Sequence, residues 1–107
     1  MWLNYQKERF GYLSIEKEWG FALYWFNSPL LNLEEMYIVP ELRGQHKGTE
    51  ILNELGQIGR ETKCTHIWSQ VWLNDRNAEN TLKAAWSSGF KMIEANGNRI
   101  MILKEIH

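Results

Sequence analysis

The chain has 107 residues, 44% of them hydrophobic and 23% charged, with two prolines. That is one domain with enough apolar side chain for a core, and it excludes a mainly disordered segment. Twelve Lys and Arg against 13 Asp and Glu leave a formal charge of -1, which excludes a strong field steering the chain onto nucleic acid or anionic lipid. Cys64 is alone, so neither an intrachain disulfide nor a cysteine-built zinc site can form. No apolar run approaches the roughly 20 residues of a membrane span, and the N-terminus lacks the basic-then-apolar order of a signal peptide. The expectation is a cytoplasmic protein with no metal and no membrane partner.

Residues 10–16 (FGYLSIE) and 19–26 (WGFALYWF) are rich in aromatic and β-branched side chains and predict two strands, with the charged stretch 16–18 as their turn. Asn27-Ser28-Pro29 ends the second, and 33–39 (LEEMYIV) predicts a third, stopped by Pro40. A helix over 48–63 follows, with Ile51, Leu52, Leu55 and Ile58 on one face. Gly56 and Gly59 inside it cost about 1 kcal/mol each relative to Ala, which points to close approach of the helix to a sheet. Residues 65–73 (THIWSQVWL) predict a strand. Asn77 is the expected N-cap of a helix over 78–88, with Ala78, Leu82 and Ala85 on one face and Gly89 as its stop. Strands at 90–95 and 99–106 flank an Asn96-Gly97 turn, a strong hairpin signal. The order is β-β-β-α-β-α-β-β: an α/β chain of the α+β kind, a mixed and mostly antiparallel sheet with two helices packed on it.

The strongest local signal is YIVPELRGQHKGTEIL, a strand, a proline stop, a polar loop with Arg43, Gly44, Lys47 and Gly48, then a helix. Such a loop can cradle an anion, because backbone N–H groups and the helix dipole point at it. An ordinary strand-to-helix connection reads the same way. The spacing matches neither a Walker loop nor a dinucleotide fingerprint.

Pro40-Glu41-x-Arg43-Gly44, Gly48 ahead of an amphipathic helix, then Asn77 and Gly89-Phe90 around the next helix together resemble the Gcn5-related N-acetyltransferases. The strands GFALYWF and NLEEMYIVPELRG are most similar to the polyamine branch. The resemblance covers roughly residues 10–106. It implies a sheet splayed open in its middle with acetyl-CoA in the cleft, and acetyl transfer to a primary amine. Its pyrophosphate would lie on Arg43, Gly44, Gln45, His46, Lys47, Gly48 and Thr49. Backbone groups of Met36, Tyr37 and Ile38 would pair with the pantetheine arm, Asn77 would join the cofactor side, and Glu34 would act as base. Three departures stand out. His46 replaces the first loop glycine, where a positive φ is costly for a side-chain-bearing residue. Ala85, or Ala84 when counted from Asn77, replaces the tyrosine that protonates the leaving thiolate. The chain opens at the family's second strand, so the first strand and two roofing helices have no counterpart. The alternative reading is a catalytically degenerate cofactor-binding or interaction module.

Neighbouring Glu34 and Glu35 are expected on opposite sides of their strand. His66 and His107 lack spaced metal partners, and Cys64 reads as a packing residue. The six tryptophans, with Trp25, Trp68 and Trp72 on strands, suggest an apolar face covered by a second copy, hence a homodimer.

Overall fold

The structure is a computed structural model in which residues 2–106 are described; His107 lies outside them. Elements follow in the order α1 (Trp2–Phe10), β1 (Leu13–Lys17), β2 (Gly20–Asn27), β3 (Leu30–Ile38), a 3-10 turn (Pro40–Leu42), α2 (Lys47–Glu61), β4 (His66–Trp72), α3 (Ala78–Ser87), β5 (Lys91–Asn96) and β6 (Arg99–Glu105). The eight expected strands and helices are present, with ends moved by at most three residues. The addition is α1, in a segment whose sequence predicts no helix and whose Phe10 was expected in a strand. Gly11 ends it with φ 70°, its N–H reaching back 2.9 Å to Lys7 O, a left-handed C-terminal cap. No α1 residue is buried. It is held from the side by Trp2 against Phe21, ring centroids 5.9 Å apart, and by Lys7 on Glu16 at 3.0 Å.

One six-stranded sheet runs β1-β2-β3-β4-β6-β5. Every pairing is antiparallel except β3–β4. α2 lays Ile51, Leu52 and Leu55 on the sheet, and these three, with Leu31, Ile67 and Ile102, are among the most completely buried side chains. Of the two close approaches expected, the one at Gly59 is real, since a Cβ there would collide with Ile106 and come within 3.8 Å of Leu31, whereas one at Gly56 would meet only Arg60 Nη1 at 3.8 Å. Cys64 is buried and unpaired, and His66 is a strand residue whose Nδ1 lies 2.8 Å from Thr65 Oγ1.

Two irregularities in β3 position the site. Its parallel pairing with β4 covers only Leu30–Leu33 against His66–Ser69, although β3 continues to Ile38 and β4 to Trp72. The strands therefore part beyond Leu33, where the buried Ser69 hydroxyl donates to Leu33 O at 2.9 Å. On its other side, β3 pairs Leu33 with Tyr24 and Glu35 with Leu23, so Glu34 is the extra residue of a β-bulge. The bulge resets the side-chain alternation: Leu31 and Leu33 before it, and Met36 and Ile38 after it, are all buried.

Candidate functional site

Where β3 and β4 part, three connected hollows open. The largest, about 440 Å3, lies between the end of β3, the start of α2 and one face of α3. Of the expected cofactor residues, Met36, Ile38, Arg43, Gly44, His46, Lys47, Gly48, Thr49 and Asn77 line it. Gln45 does not; its amide turns back to donate to Glu41 O at 3.2 Å. The Tyr37 side chain does not either. Strand alternation points it away, stacked on Phe21 at 5.8 Å with the Arg43 guanidinium 5.4 Å above its ring.

The first turn of α2 has the features of an anion cradle. Glu50 N–H makes the first helical bond, to His46 O at 3.1 Å, so the N–H groups of Lys47, Gly48 and Thr49 lack intrahelical partners, and no side chain caps them. Arg43 Nε donates to Ile38 O at 2.9 Å, tying the loop to the end of β3. Lys47 folds back over Trp19, 5.0 Å from the ring centroid, and onto Glu50 at 3.4 Å. Gly48 is needed for packing: a Cβ there would lie 2.9 Å from Ala84 Cβ.

His46 takes a left-handed conformation that a glycine adopts without strain, φ 65° and ψ 14°, with its side chain exposed. A left-handed non-glycine residue costs about 1–2 kcal/mol, partly offset by the lower unfolded-state entropy of His relative to Gly. His46→Gly is therefore expected to stabilise the fold by up to about 1 kcal/mol, read as a rise in urea midpoint at constant slope. A lower midpoint would contradict the strain.

Asn77 corrects a sequence expectation. It precedes α3 but its side chain caps nothing. The local turn is made instead by Asp75, whose Oδ1 accepts from Asn77 N at 2.8 Å, and Asn77 Nδ2 reaches Thr81 Oγ1 at 3.4 Å. Asn77 Oδ1 is buried with no hydrogen-bond partner, a costly acceptor to leave unmatched. It suits an amide N–H such as those of a pantetheine arm, and the unpaired edge of β3 past Leu33 suits the same arm laid alongside as a strand. The residues present thus fit acetyl-CoA.

The second hollow, about 110 Å3, lies in the gap between the strands and shares Met36, Asn77 and Thr81 with the first. Glu34 and Glu35 both line it, with Asp75 across, which overturns their expected placement on opposite sides. The bulge is the reason. Glu34 Oε1 accepts from Trp25 Nε1 at 3.2 Å. Glu35 has its pKa raised, first by lost hydration against the cleft walls, then by the negative charges of Asp75 and Glu34. Charge is segregated along the path: Arg43, Lys47 and Lys83 on the large cavity, three carboxylates on the cleft.

Apart from Asn77, the wall that α3 gives the cavity was not expected from the sequence: Asn80, Thr81, Ala84 and Ser87 also face it at helical spacing, a polar stripe beside the apolar one of Ala78, Leu82 and Ala85. It also settles which alanine stands at the cavity: Ala84 lines it, whereas Ala85 is core at 2% exposure. Ser88 Oγ is buried without a partner, and Ser87 faces the cavity.

Residues 1–86 match the family model of the acetyltransferase (GNAT) family, a match that takes in α1. The chain belongs to the acetyltransferase (GNAT) family. Its fold is similar to that of PaiA N-acetyltransferase from Thermoplasma acidophilum, solved with coenzyme A, at 20% identity and TM-score 0.71 over 81% of this chain and 53% of that one. It is similar also to nourseothricin acetyltransferase, at 19% identity and TM-score 0.69 over 82% and 58%. The ribosomal-protein-S18-alanine N-acetyltransferase from Escherichia coli matches at 18% identity and TM-score 0.69 over 98% and 74%. The chain thus spans little more than half the length of the first two. Among the described residues no helix is long and apolar enough to cross a membrane.

Proposed function

We propose that the chain binds acetyl-CoA in the large cavity and transfers its acetyl group to a primary amine that enters the carboxylate cleft. The observation that carries this reading is the joining of a cation-lined cavity to an anion-lined cleft through the parted strands, with Met36, Asn77 and Thr81 on both. Phosphates favour the first and an ammonium the second. The coenzyme A bound to the Thermoplasma relative supports the same assignment. The acceptor class is a small polyamine-like amine or a protein lysine or N-terminus.

When bound, acetyl-CoA supplies an acetyl group activated as a thioester. Backbone N–H groups of Lys47, Gly48 and Thr49, with Arg43 and Lys47, hold the phosphates. The β3 edge at Met36, Tyr37 and Ile38 orients the arm, and N–H groups there stabilise the negative charge that develops on the acetyl oxygen. Glu35, with its raised pKa, takes the proton of the incoming ammonium, while Glu34, fixed by Trp25, holds the acceptor's charge. The wall position opposite, Ala84, offers no proton to the sulfur. A thiol pKa of about 8.5 still makes thiolate a tolerable leaving group, so turnover is slow and not forbidden. Ala84 also favours the second reading, a member of the fold that binds acetyl-CoA without turning it over.

Acetyl-CoA is expected to raise the melting temperature by several degrees, since saturation at 100 Kd adds about 2.7 kcal/mol, and Arg43→Ala is expected to shrink that rise. No rise at millimolar acetyl-CoA would contradict the cofactor assignment. A second copy of the chain is the proposed cover for the strand tryptophans Trp25, Trp68 and Trp72, of which Trp72 is 55% exposed. Light scattering should then give twice the 12.7 kDa of the chain; a monomer mass at tens of micromolar would overturn the dimer. A cytoplasmic location completes the proposal.

A further inference from the structure

The large cavity and the carboxylate cleft meet at Met36, Asn77 and Thr81, which line both. A thioester held by its phosphates in the first, with an acceptor entering through the second, reacts at this junction. Met36 has no donor to offer there. Asn77 spends its amide on its neighbour, Nδ2 donating to Thr81 Oγ1 at 3.4 Å, and its buried oxygen can only accept. Thr81 differs from both. Its oxygen accepts that bond, and among the described residues its hydrogen goes to no acceptor. It does not bond back to the helix as Thr62 does, whose hydroxyl donates to Ile58 O at 2.8 Å; only the Thr81 N–H reaches Asn77 O, at 3.0 Å.

The other hydroxyls along the path are excluded by partner or by place. Ser69 lines the cleft but donates to Leu33 O at 2.9 Å. Thr49 and Ser87 line the cavity without reaching the cleft. The wall is also the right one. With the acetyl oxygen against the N–H groups of the β3 edge, the sulfur on the other side of the carbonyl carbon is turned towards α3. Thr81 stands one helical turn before Ala84 on that wall, and it reaches the cleft where Ala84 does not.

We infer that Thr81 is a catalytic residue whose hydroxyl donates a hydrogen bond to the departing sulfur. The amine nitrogen bonds to the acetyl carbon, the carbon–sulfur bond breaks, and its electron pair goes to the sulfur. Thr81 keeps its proton, an aliphatic hydroxyl being a far weaker acid than a thiol. Glu35 has taken one proton from the incoming ammonium, and the second, shed as the amide forms, goes to the sulfur to give the free thiol. The bond strengthens as charge reaches the sulfur, so it favours the transition state over the bound substrate. This rests on the acetyltransferase reading and adds to it the group that steadies the leaving thiolate.

The test binds coenzyme A to the full chain and follows thiolate formation by its ultraviolet absorbance as pH is raised. Glu34, Glu35 and Asp75 face the junction from the cleft, and Arg43, Lys47 and Lys83 from the cavity; parent and variant share them, so the difference between their titrations reads Thr81. In Thr81→Val the bound thiol should titrate about one pH unit higher than in the parent, the tenfold value of a hydrogen bond to an anion. The same variant should lower kcat for acetyl transfer about tenfold and keep the melting shift with coenzyme A. Thr81→Ser should behave as the parent, and Thr81→Ala is read in place of the valine variant if that one does not fold. Coinciding titrations with coenzyme A bound to both proteins would overturn the role of Thr81 and leave the acetyltransferase reading standing. A melting shift lost in the variant would assign Thr81 to binding and overturn its catalytic role. No shift in the parent would overturn the cofactor assignment itself.

Discussion

Replacing Glu35 by Gln is expected to lower kcat/KM for amine acetylation by about 10²- to 10⁴-fold, the usual value of a positioned general base, while raising the stability of the fold. Both effects have one cause. The Glu35 carboxyl is pushed above its ordinary range by lost hydration and by Asp75 and Glu34, which suits a proton acceptor at neutral pH and opposes folding in the charged state. The sign follows from proton counts: between the unfolded value, about 4.3, and the raised folded one, the native state holds the extra proton. Stability contributed by this group is therefore full below the unfolded value and declines as pH rises through the folded one. The glutamine variant should match the parent in melting temperature at low pH and exceed it at neutral pH. Its activity should be low at every pH, whereas the parent's acid limb should fall at a pH above the ordinary carboxylate range. Parental activity in Glu35→Gln would remove the residue from the chemistry and return the role to Glu34.

Gly48→Ala should destabilise the chain by about 1–3 kcal/mol, the cost of overpacking, and weaken acetyl-CoA binding with it. The added Cβ would lie 2.9 Å from Ala84 Cβ and 3.4 Å from Met36 Cε, so α2 and α3 must move apart where they frame the cavity. Ala84→Gly in the same chain should recover much of the loss, a coupling that a double-mutant cycle measures. Gly56→Ala provides the contrast. Its Cβ would meet nothing nearer than Arg60 Nη1 at 3.8 Å, and it should gain about 0.5–1 kcal/mol from helix propensity. Additive stabilities for Gly48→Ala and Ala84→Gly would mean that the two helices do not touch as described.

Much of the fold is legible in the sequence because its signals are local: Pro40 ending β3, the apolar stripe of α2 and the Asn96-Gly97 turn each act over a few residues. α1 is not, because Trp2, Tyr5 and Phe10, although spaced i, i+3 and i+8, have polar Gln6 and Arg9 at i+4 and i+7 of the same face, and Gly11 reads equally as a helix cap or a turn. The loop wall of the large cavity is legible from Arg43 to Thr49, where the glycines and cations stand together. The carboxylate cleft is not. A bulge leaves no compositional mark, and a single extra residue at Glu34 brings Glu34 and Glu35 to one cleft. Asn77 shows the same limit from another direction: its residue type and place predict a cap, but its side chain makes no cap bond; Asp75 Oδ1 accepts the N–H of Asn77 itself, and the Asn77 oxygen stays buried without a partner. The role of Gly48 also needed the structure, since only the packing of α2 on α3 shows that a neighbouring helix, as well as any phosphate, demands the missing side chain.

Whether the cation-lined cavity and the carboxylate cleft form one reaction path through the parted strands is tested most directly by amine-dependent release of free coenzyme A thiol by the full chain, with the acetylated amine identified by mass spectrometry. Slow release is expected that requires the amine, is abolished by Arg43→Ala together with cofactor binding, and falls in Glu35→Gln with cofactor binding retained. Cofactor binding with no acetylated amine from any polyamine or lysine peptide would contradict such a path and leave a binding module in its place.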